Sequence, residues 1–414
     1  MSDLISRRDM MKRGGVIAIG LCAPRWLSTI AQADMLRVAQ GGKPTSDTIL
    51  VVCQFSGGND GLNMFIPYAD SLYYKFRPTL GIEDSKVLHV NEHMGFHPAM
   101  QPIVDLYKSG KVAVVNNVGY PNPNRSHFAS MDIWQSASPD RSLHNGWIGR
   151  YLDDQMAHGP LNPVMALGLS TEKPLALSAK NASIPCFASL TDVKNLIGDP
   201  SAEQMLRDIQ GMDAPAGSPT RVVQQASRAA LDAMDILSRQ LDTYTPKQTY
   251  NTADPRDAFA RGFKQIAQLI ATSPKTRVVY FSAGGFDTHA RQATTQETLL
   301  GNFAKAVGAF QAEMEAIGKA DKVVVLTFSE FGRRVAENGS QGTDHGAAAP
   351  MLLIGKSVKG GMYGPIPDLA NLHNGDVAFT TDFRQVYAAT LDKWMGGDSE
   401  VVLGQKFDHV PVFG

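Results

Sequence analysis

Cysteine is nearly missing from this 414-residue chain, with three in all, and Cys22 lies in a basic N-terminal stretch. Cys53 and Cys186 each sit inside an apolar run, so they read as small buried hydrophobes rather than a disulfide framework or a thiol nucleophile. Charge of one sign is not in excess either. Lys+Arg 39 against Asp+Glu 40 gives a net charge of -1, with no basic tail, so no nucleic-acid partner is expected. Beyond Asp34 no stretch approaches the ~18 apolar residues of a membrane span, and none is expected in the body of the protein. The chain also lacks the Gly-x-Ser-x-Gly elbow of a metal-free serine esterase, the spaced glycines of a dinucleotide fold, and any internal repeat.

The N-terminus reads as a targeting segment. Ser6-Arg7-Arg8-Asp9-Met10-Met11-Lys12 resembles the twin-arginine export signal, an apolar stretch from Val16 to Leu21 follows, and Ala31-Gln32-Ala33 is a small-x-small cleavage site. Residues 1–33 are therefore expected to be a signal peptide handled by the twin-arginine export machinery, and the protein to be periplasmic or secreted. Residues 34–47 read as a polar linker. Residues 48–414 read as one α/β domain with cap insertions around 147–220. The signal carries +3, from five positive and two negative groups, which leaves the body near -4 by subtraction from the net -1. A mildly acidic body that handles anions must concentrate positive charge or metal locally.

Within the body, three segments deliver candidate ligands after an apolar run. Thr276 to His289 places Asp287 and His289 past a Val/Tyr/Phe strand. Lys322 to Arg333 places Glu330 past a Val/Leu/Phe strand, and Gly342-Thr-Asp344-His345-Gly follows. Short apolar runs bounded by glycine have the length and composition of buried parallel strands. The predicted fold is a doubly wound, mostly parallel sheet with helices on both faces, in which ligands bind beyond the strand carboxyl ends. Thr48 to Phe55 is the first strand. The Gly57-Gly58-Asn59-Asp60-Gly61 after it makes Asp60 either a turn residue or a ligand. After a strand at Lys111 to Asn117, Arg125-Ser126-His127-Phe128 opens a helix whose apolar face is expected to carry Phe128, Met131 and Trp134. Ser126 has two readings of equal weight, a helix N-cap or a nucleophile at the positive helix end, where Arg125 could hold an oxyanion. Longer helices are expected at 222–241, 256–271, 295–320 and 381–395. A lone histidine beside glycine is more often a loop residue, but Asp287, His289, Glu330 and His345 at strand ends of one sheet together favour a site. His89, His93, His97, His144, His158, His373 and His409 read as structural.

The order Asp60, Ser126, Asp287 with His289, Glu330, then His345 in Asp-His-Gly resembles the alkaline phosphatase superfamily of metal-dependent phosphatases, sulfatases and phosphomutases. More narrowly, the twin-arginine start with Gly-Gly-Asn-Asp-Gly, Arg-Ser-His-Phe, Gly-Gly-Phe-Asp-Thr-His, Ser-Glu-Phe-Gly-Arg and Asp-His-Gly looks like an exported bacterial family of that superfamily, known only as a domain of unknown function. The resemblance implies that Asp60 and Glu330 hold one metal with the Ser126 hydroxyl, and that Asp287, His289 and His345 hold another. It further implies that Arg125 or Arg333 binds the oxygens of a small-molecule ester substrate. The cofactor is then a divalent metal, zinc first, with manganese, calcium or magnesium as alternatives.

Two departures stand out. Glu330-Phe331 replaces the usual Asp-His, and Asp287 and His289 are two apart rather than four, so a ligand is missing or is supplied by His127 or Asp344. The modified nucleophile of a sulfatase needs Cys or Ser before x-Pro-x-Arg, and Ser126 is not in that context. The resulting expectation is an exported, metal-dependent phosphoester hydrolase. The alternative is a non-catalytic envelope protein that binds a ligand or partner at a degenerate metal site.

Overall fold

The computed structural model describes residues 47–159, 161–191, 200–215 and 218–414. The expected signal peptide, and the linker up to residue 46, lie outside the described residues. Two compact units are present. The larger comprises 48–144, 246–267 and 281–414, and the smaller includes 145–245 and 268–280.

Nine strands build mixed, mostly parallel sheet structure with helices around it. They are Ile49–Phe55 (β1), Val112–Gly119 (β2), Ala166–Leu169 (β3), Cys186–Phe187 (β4), Val278–Ala283 (β5), Val323–Phe328 (β6), Ala349–Ile354 (β7), Gly361–Tyr363 (β8) and Thr381–Asp382 (β9). In the larger unit the order is β8-β2-β7-β6-β1, with β9 also beside β2. Every residue of β1, β2 and β6 is buried, which is why these segments open as continuous apolar runs, with polar residues only toward their carboxyl ends, rather than alternating ones. β1 and β6 pair in parallel from Ile49↔Val323 to Gln54↔Phe328. β7 is antiparallel to both β2 and β6. No helix follows β6 that could carry the chain back across the sheet, so the next strand starts at the same edge and runs the other way.

That reversal has a consequence for the site. β2 and β6 flank β7 antiparallel, hence both point the same way as β1, and the Ser56 N–H bonds Ala283 C=O at 2.9 Å to bring the end of β5 alongside. The carboxyl ends of four strands therefore share one edge. The loops after them are anchored by rings. Phe55 stacks on Phe286 at 4.9 Å and meets Phe303 at 4.8 Å, while Trp134 stacks on Phe328 at 5.6 Å and on Phe383 at 4.4 Å. Trp134 thereby fixes His127–Ser136 (α1), whose first residue enters the site. In the smaller unit β3 and β4 are parallel, Arg277 and Val278 donate to Met165 C=O at 2.8 and 3.0 Å, and Pro219–Gln240 (α2) is the longest helix among its described residues.

Several local expectations change. Phe128 does not join the apolar face of α1; it is 86 % exposed, and Trp134 supplies the burial instead. The C-terminal helix does not begin at Thr381. Thr381 and Asp382 pair with β2, and the helix starts at Phe383 because Asp382 and Gln385 close a capping box there. The helix expected from Thr295 begins earlier, as Gln292–Ala316 (α3), because Gln292 and Gln296 turn inward to bond Asp60.

His97 caps the turn at Pro98 by accepting Ala99 N–H at 3.1 Å, and burial lowers its pKa to about 4 despite the opposing charge of Asp60. A ring harder to protonate when folded removes stability as pH falls through the unfolded value near 6.5 toward 4. Between pH 7 and 4 the native protein should lose at most about 3 kcal/mol more than His97→Asn, which keeps a capping acceptor without the titration. Equal losses by chemical denaturation would contradict this.

Candidate metal centre

Two glycine positions let the loops meet. Gly57 holds φ +121, and a Cβ there would fall 2.4 Å from the Asp287 backbone nitrogen; at Gly342 it would fall 2.3 Å from the His289 carbonyl. The loops after β1 and β5, and the loop carrying His345, are therefore in backbone contact. Arg333 ties them together. Its Nε donates to Gly58 C=O at 2.6 Å, Nη1 to Thr343 C=O at 2.8 Å, and Nη2 to the carbonyls of Gly57 and of Phe286, the latter at 2.9 Å. Nη2 also reaches Asp287 Oδ1 at 2.8 Å. With its side chain 0 % exposed, Arg333 is an internal strut and offers no face to a substrate.

Asp287 is the centre of the cluster. Its Oδ1 lies 3.0 Å from His289 Nε2 and 3.1 Å from His345 Nε2, and those two nitrogens are 2.9 Å apart. Its Oδ2 lies 3.4 Å from His127 Nε2. His127, Asp287 and His345 also place one ligand atom each within 4.8 Å of one another. Partial burial raises the Asp287 pKa, but the Arg333 hydrogen bond and guanidinium charge outweigh it and hold the value at about 2.

The outer nitrogen of each ring is assigned by its partner. His345 Nδ1 donates to Arg125 C=O at 2.8 Å, since a carbonyl only accepts. His289 Nδ1 faces Asp344 Oδ1 at 3.1 Å, and His127 Nδ1 faces Glu330 Oε1 at 2.8 Å. The carboxyl of Asp344 is held below its ordinary range, first by the Asn338 hydrogen bond and then by the His289 one, so it accepts. A neutral ring carries one proton, so with Nδ1–H engaged each Nε2 presents a lone pair. Two such nitrogens 2.9 Å apart repel unless a proton or a cation lies between them. This is the outer-sphere arrangement of metal-binding histidines, in which the far N–H is fixed by a carbonyl or carboxylate. Donors about 2.0–2.1 Å from a tetrahedral ion stand roughly 3.3 Å apart, so the observed triangle fits with slight opening.

The other expected residues lie differently. Asp60 is buried and forms a two-point ion pair with Arg77, Nη1–Oδ2 2.6 Å and Nη2–Oδ1 2.9 Å, while Gln292 Nε2 donates to Oδ2 at 2.5 Å. Arg77 also reaches Asn63 Oδ1 at 2.7 Å and the carbonyls of Val335 and Arg334 at 2.9 and 3.0 Å. The Asp60 carboxylate is thus already neutralised by a guanidinium. Glu330, 0 % exposed, accepts from Gly57 N–H at 2.8 Å and turns to His127. Ser126 is exposed at the start of α1 and its hydroxyl caps nothing; its N–H donates to Asn124 Oδ1 at 2.8 Å. Arg125 pairs through Nη2 with Asp376 Oδ2. Burial raises the Asp376 pKa, with the Arg125 hydrogen bond and charge opposing it. Arg77 and Asp376 gave no local signal in the sequence, the first lying in an irregular Tyr/Pro-rich stretch and the second in a turn.

Fold and site together describe an α/β protein with a histidine–carboxylate cluster at the carboxyl edge of its sheet. The chain belongs to the family described as a protein of unknown function (DUF1501), whose pattern matches residues 85–405. It is similar in structure to PsFucS1 sulfatase from Pseudoalteromonas sp., at 10 % identity and a TM-score of 0.39, covering 94 % of this chain and 75 % of that one. It is also similar to a protein in the alkaline phosphatase superfamily from Vibrio parahaemolyticus, at 8 % identity and TM-score 0.35, covering 82 % and 72 %. Alkaline phosphatase from the Antarctic bacterium TAB5 matches at 8 % and 0.36, covering 76 % and 92 %. Likenesses this distant carry no inference about activity. No curated protein matches the sequence.

Removing Arg77 while keeping Asp60 should leave a buried charge unpaired. Arg77→Leu is expected to destabilise the protein by about 3–5 kcal/mol, and adding Asp60→Asn should recover part of that loss. Additive losses in a double-mutant cycle of denaturant midpoints would contradict the pairing.

Proposed function

We propose that the protein is an exported, metal-dependent hydrolase of phosphate esters. The observation that supports it most is the convergence of three imidazole Nε2 atoms on the Asp287 carboxylate, each ring held from behind by Arg125 C=O, Asp344 or Glu330. Asp287, His289 and His345 would hold the ion, with His127 as a fourth donor. Imidazoles in that number suit zinc better than calcium or magnesium, with manganese between them. A divalent ion there supplies positive charge for the oxygens of an ester in transit.

The chain's own residues supply the rest. Ser126 offers an exposed hydroxyl on the residue before His127, and it is the nucleophile in this reading. Its oxygen forms the new bond to phosphorus as the bond to the leaving alcohol breaks, the hydroxyl proton ending on that alcohol's oxygen, and water then cleaves the serine–phosphate bond to release phosphate and restore the hydroxyl. Arg125 meets the anionic oxygens. Arg333 does not touch substrate; it holds Asp287 and the converging loops in place. Among the described residues no helix is long and apolar enough to cross a membrane, and export through the twin-arginine route rests on the N-terminal sequence.

The contact between Asp60 and Arg77 favours a second reading, a non-catalytic envelope protein that keeps one metal position and binds a ligand or partner there. A guanidinium where a second cation would be needed predicts one tightly held ion per chain by elemental analysis, not two. In the hydrolase reading, Asp287→Ala and His345→Ala each lose the ion and lower hydrolysis of a chromogenic phosphoester by about a thousandfold or more while remaining folded. Ser126→Ala should lose hydrolysis but keep the ion. Protein that holds one zinc yet turns over no phosphoester with zinc, manganese, magnesium or calcium supplied would leave only the binder.

A further inference from the structure

The smaller unit carries a cavity of about 370 Å³ that shares no residue with the histidine cluster. Its two walls differ in character. One is apolar, with Leu152 and Met156 from the helix Trp147–Ala157, Leu161 and Met165 from the segment leading into β3, and Ile184 from the segment before β4. The other is a single face of α2, on which Gln225, Arg228, Ala229 and Asp232 recur at the spacing of successive helical turns. Ala229 leaves the room. With only a methyl group there, the middle of that face stands back from the apolar wall.

Backbone contacts fix both sides of the apolar wall. Asp153, next to Leu152 on its helix, accepts from the N–H groups of Lys180, Asn181 and Ala182 at 2.7, 2.8 and 2.8 Å, which sets the loop running to Ile184. Met165 is held through its carbonyl, which accepts from both Arg277 and Val278. A pre-formed, mostly apolar pocket with a few convergent polar groups has the make-up of a small-molecule site.

The charged pair on α2 is poorly made as a device for helix stability. Arg228 Nε stands 3.3 Å from Asp232 Oδ1 in a single contact, with the basic residue nearer the N-terminus, the less favourable order for an i,i+4 pair. On the same helix Asp235 and Arg239 take the favourable order and close to 2.6 Å. Burial raises the Asp232 pKa, with Arg228 opposing it and Asp235 adding to it. Asp232 Oδ2 and the Arg228 Nη groups make no hydrogen bond to other described residues, so the cavity wall offers an acceptor and a donor fork side by side.

We propose that this cavity is a binding site for an α-amino acid with a large apolar side chain. The ammonium meets Asp232, the carboxylate meets Arg228, and the side chain lies against Leu152, Met156, Leu161 and Ile184. A zwitterion fits because its two charges are separated by one carbon, as close together as the pair on the wall. An amine or a carboxylate alone would satisfy only one member of that pair. The site is independent of the hydrolase reading.

The test is calorimetric titration of the full chain with L-phenylalanine, phenethylamine, hydrocinnamate and glycine. L-Phenylalanine, with about a dozen non-hydrogen atoms, should bind with a Kd on the order of 0.1 mM. The amine, the acid and glycine should each bind at least about tenfold more weakly. Arg228→Gln should weaken L-phenylalanine about tenfold without weakening the amine, and Asp232→Asn should weaken it about tenfold without weakening the acid, a cross-pattern that loss of folding would not give. Ala229→Leu fills the cavity with a good helix former and should abolish binding at an unchanged denaturant midpoint. The ligand series on native protein carries the test even if a variant fails to fold. No heat from L-phenylalanine up to about 10 mM, or equal binding of the amine or of the acid, would overturn the proposal, as would full affinity in Ala229→Leu protein.

Discussion

One guanidinium holds the site together. Arg333, fully enclosed, gathers carbonyls from the loops after β1 and β5 and from the segment before His345, then closes on Asp287. A lysine has no planar fork and could not satisfy carbonyls from three segments in one plane. Because the loops are pinned through backbone atoms, the side chains they carry inherit fixed positions. The same contact keeps Asp287 ionised, so the centre of the cluster stays negative across ordinary pH. Side chains that must meet on loops demand such bracing, since loops otherwise lose geometry first.

Charge balance separates two regions of the edge that the sequence alone makes look alike. Around Asp287, whose Oδ1 Arg333 also touches, the neighbours are imidazoles whose lone pairs face one another, an arrangement that calls for a cation. Around Asp60 the cation is already covalent to the chain, as Arg77, and amides from Asn63 and Gln292 complete the shell. Arg77 grips both oxygens of Asp60 with Gln292 beside it, whereas Arg333 touches only Oδ1 of Asp287 and leaves Oδ2 turned to His127, so the two acidic positions differ in how much of the carboxylate is already paired. Glu330 stands between them in character, facing one backbone N–H and one imidazole. It orients His127 in the way a carboxylate behind a histidine does in metal sites.

Much of this was legible in the chain. Continuous apolar runs at Ile49, Val112, Val278 and Val323 appear as buried strands, because a strand covered on both faces has no polar alternation to disguise it. Boundaries were less legible. The capping box at Asp382 stops a helix that periodicity alone would extend, and Gln292 extends one that its polar character would truncate. Phe128 looked like core, but no packing partner waits on its side of α1. Residues with distinct chemistry at strand ends, namely Asp287, His289, Glu330 and His345, were readable as a group because the edge of a parallel sheet collects them. Which of them share a ligand position was not.

The amino-acid sequence by itself determined the class of fold, the edge on which chemistry collects and the residue types available there, since strand period, glycine turns and titratable side chains are local properties. Only the tertiary structure decided that Arg77 neutralises Asp60, that His127 faces Asp287 with Glu330 behind it, that Arg333 braces instead of binding, and that Asp376 stands behind Arg125. Pairings between groups as far apart in the chain as Arg125 and Asp376 depend on loop closure and on burial. Electrostatic meaning comes from the distance between charges and from the water excluded around them, and neither is written in local order.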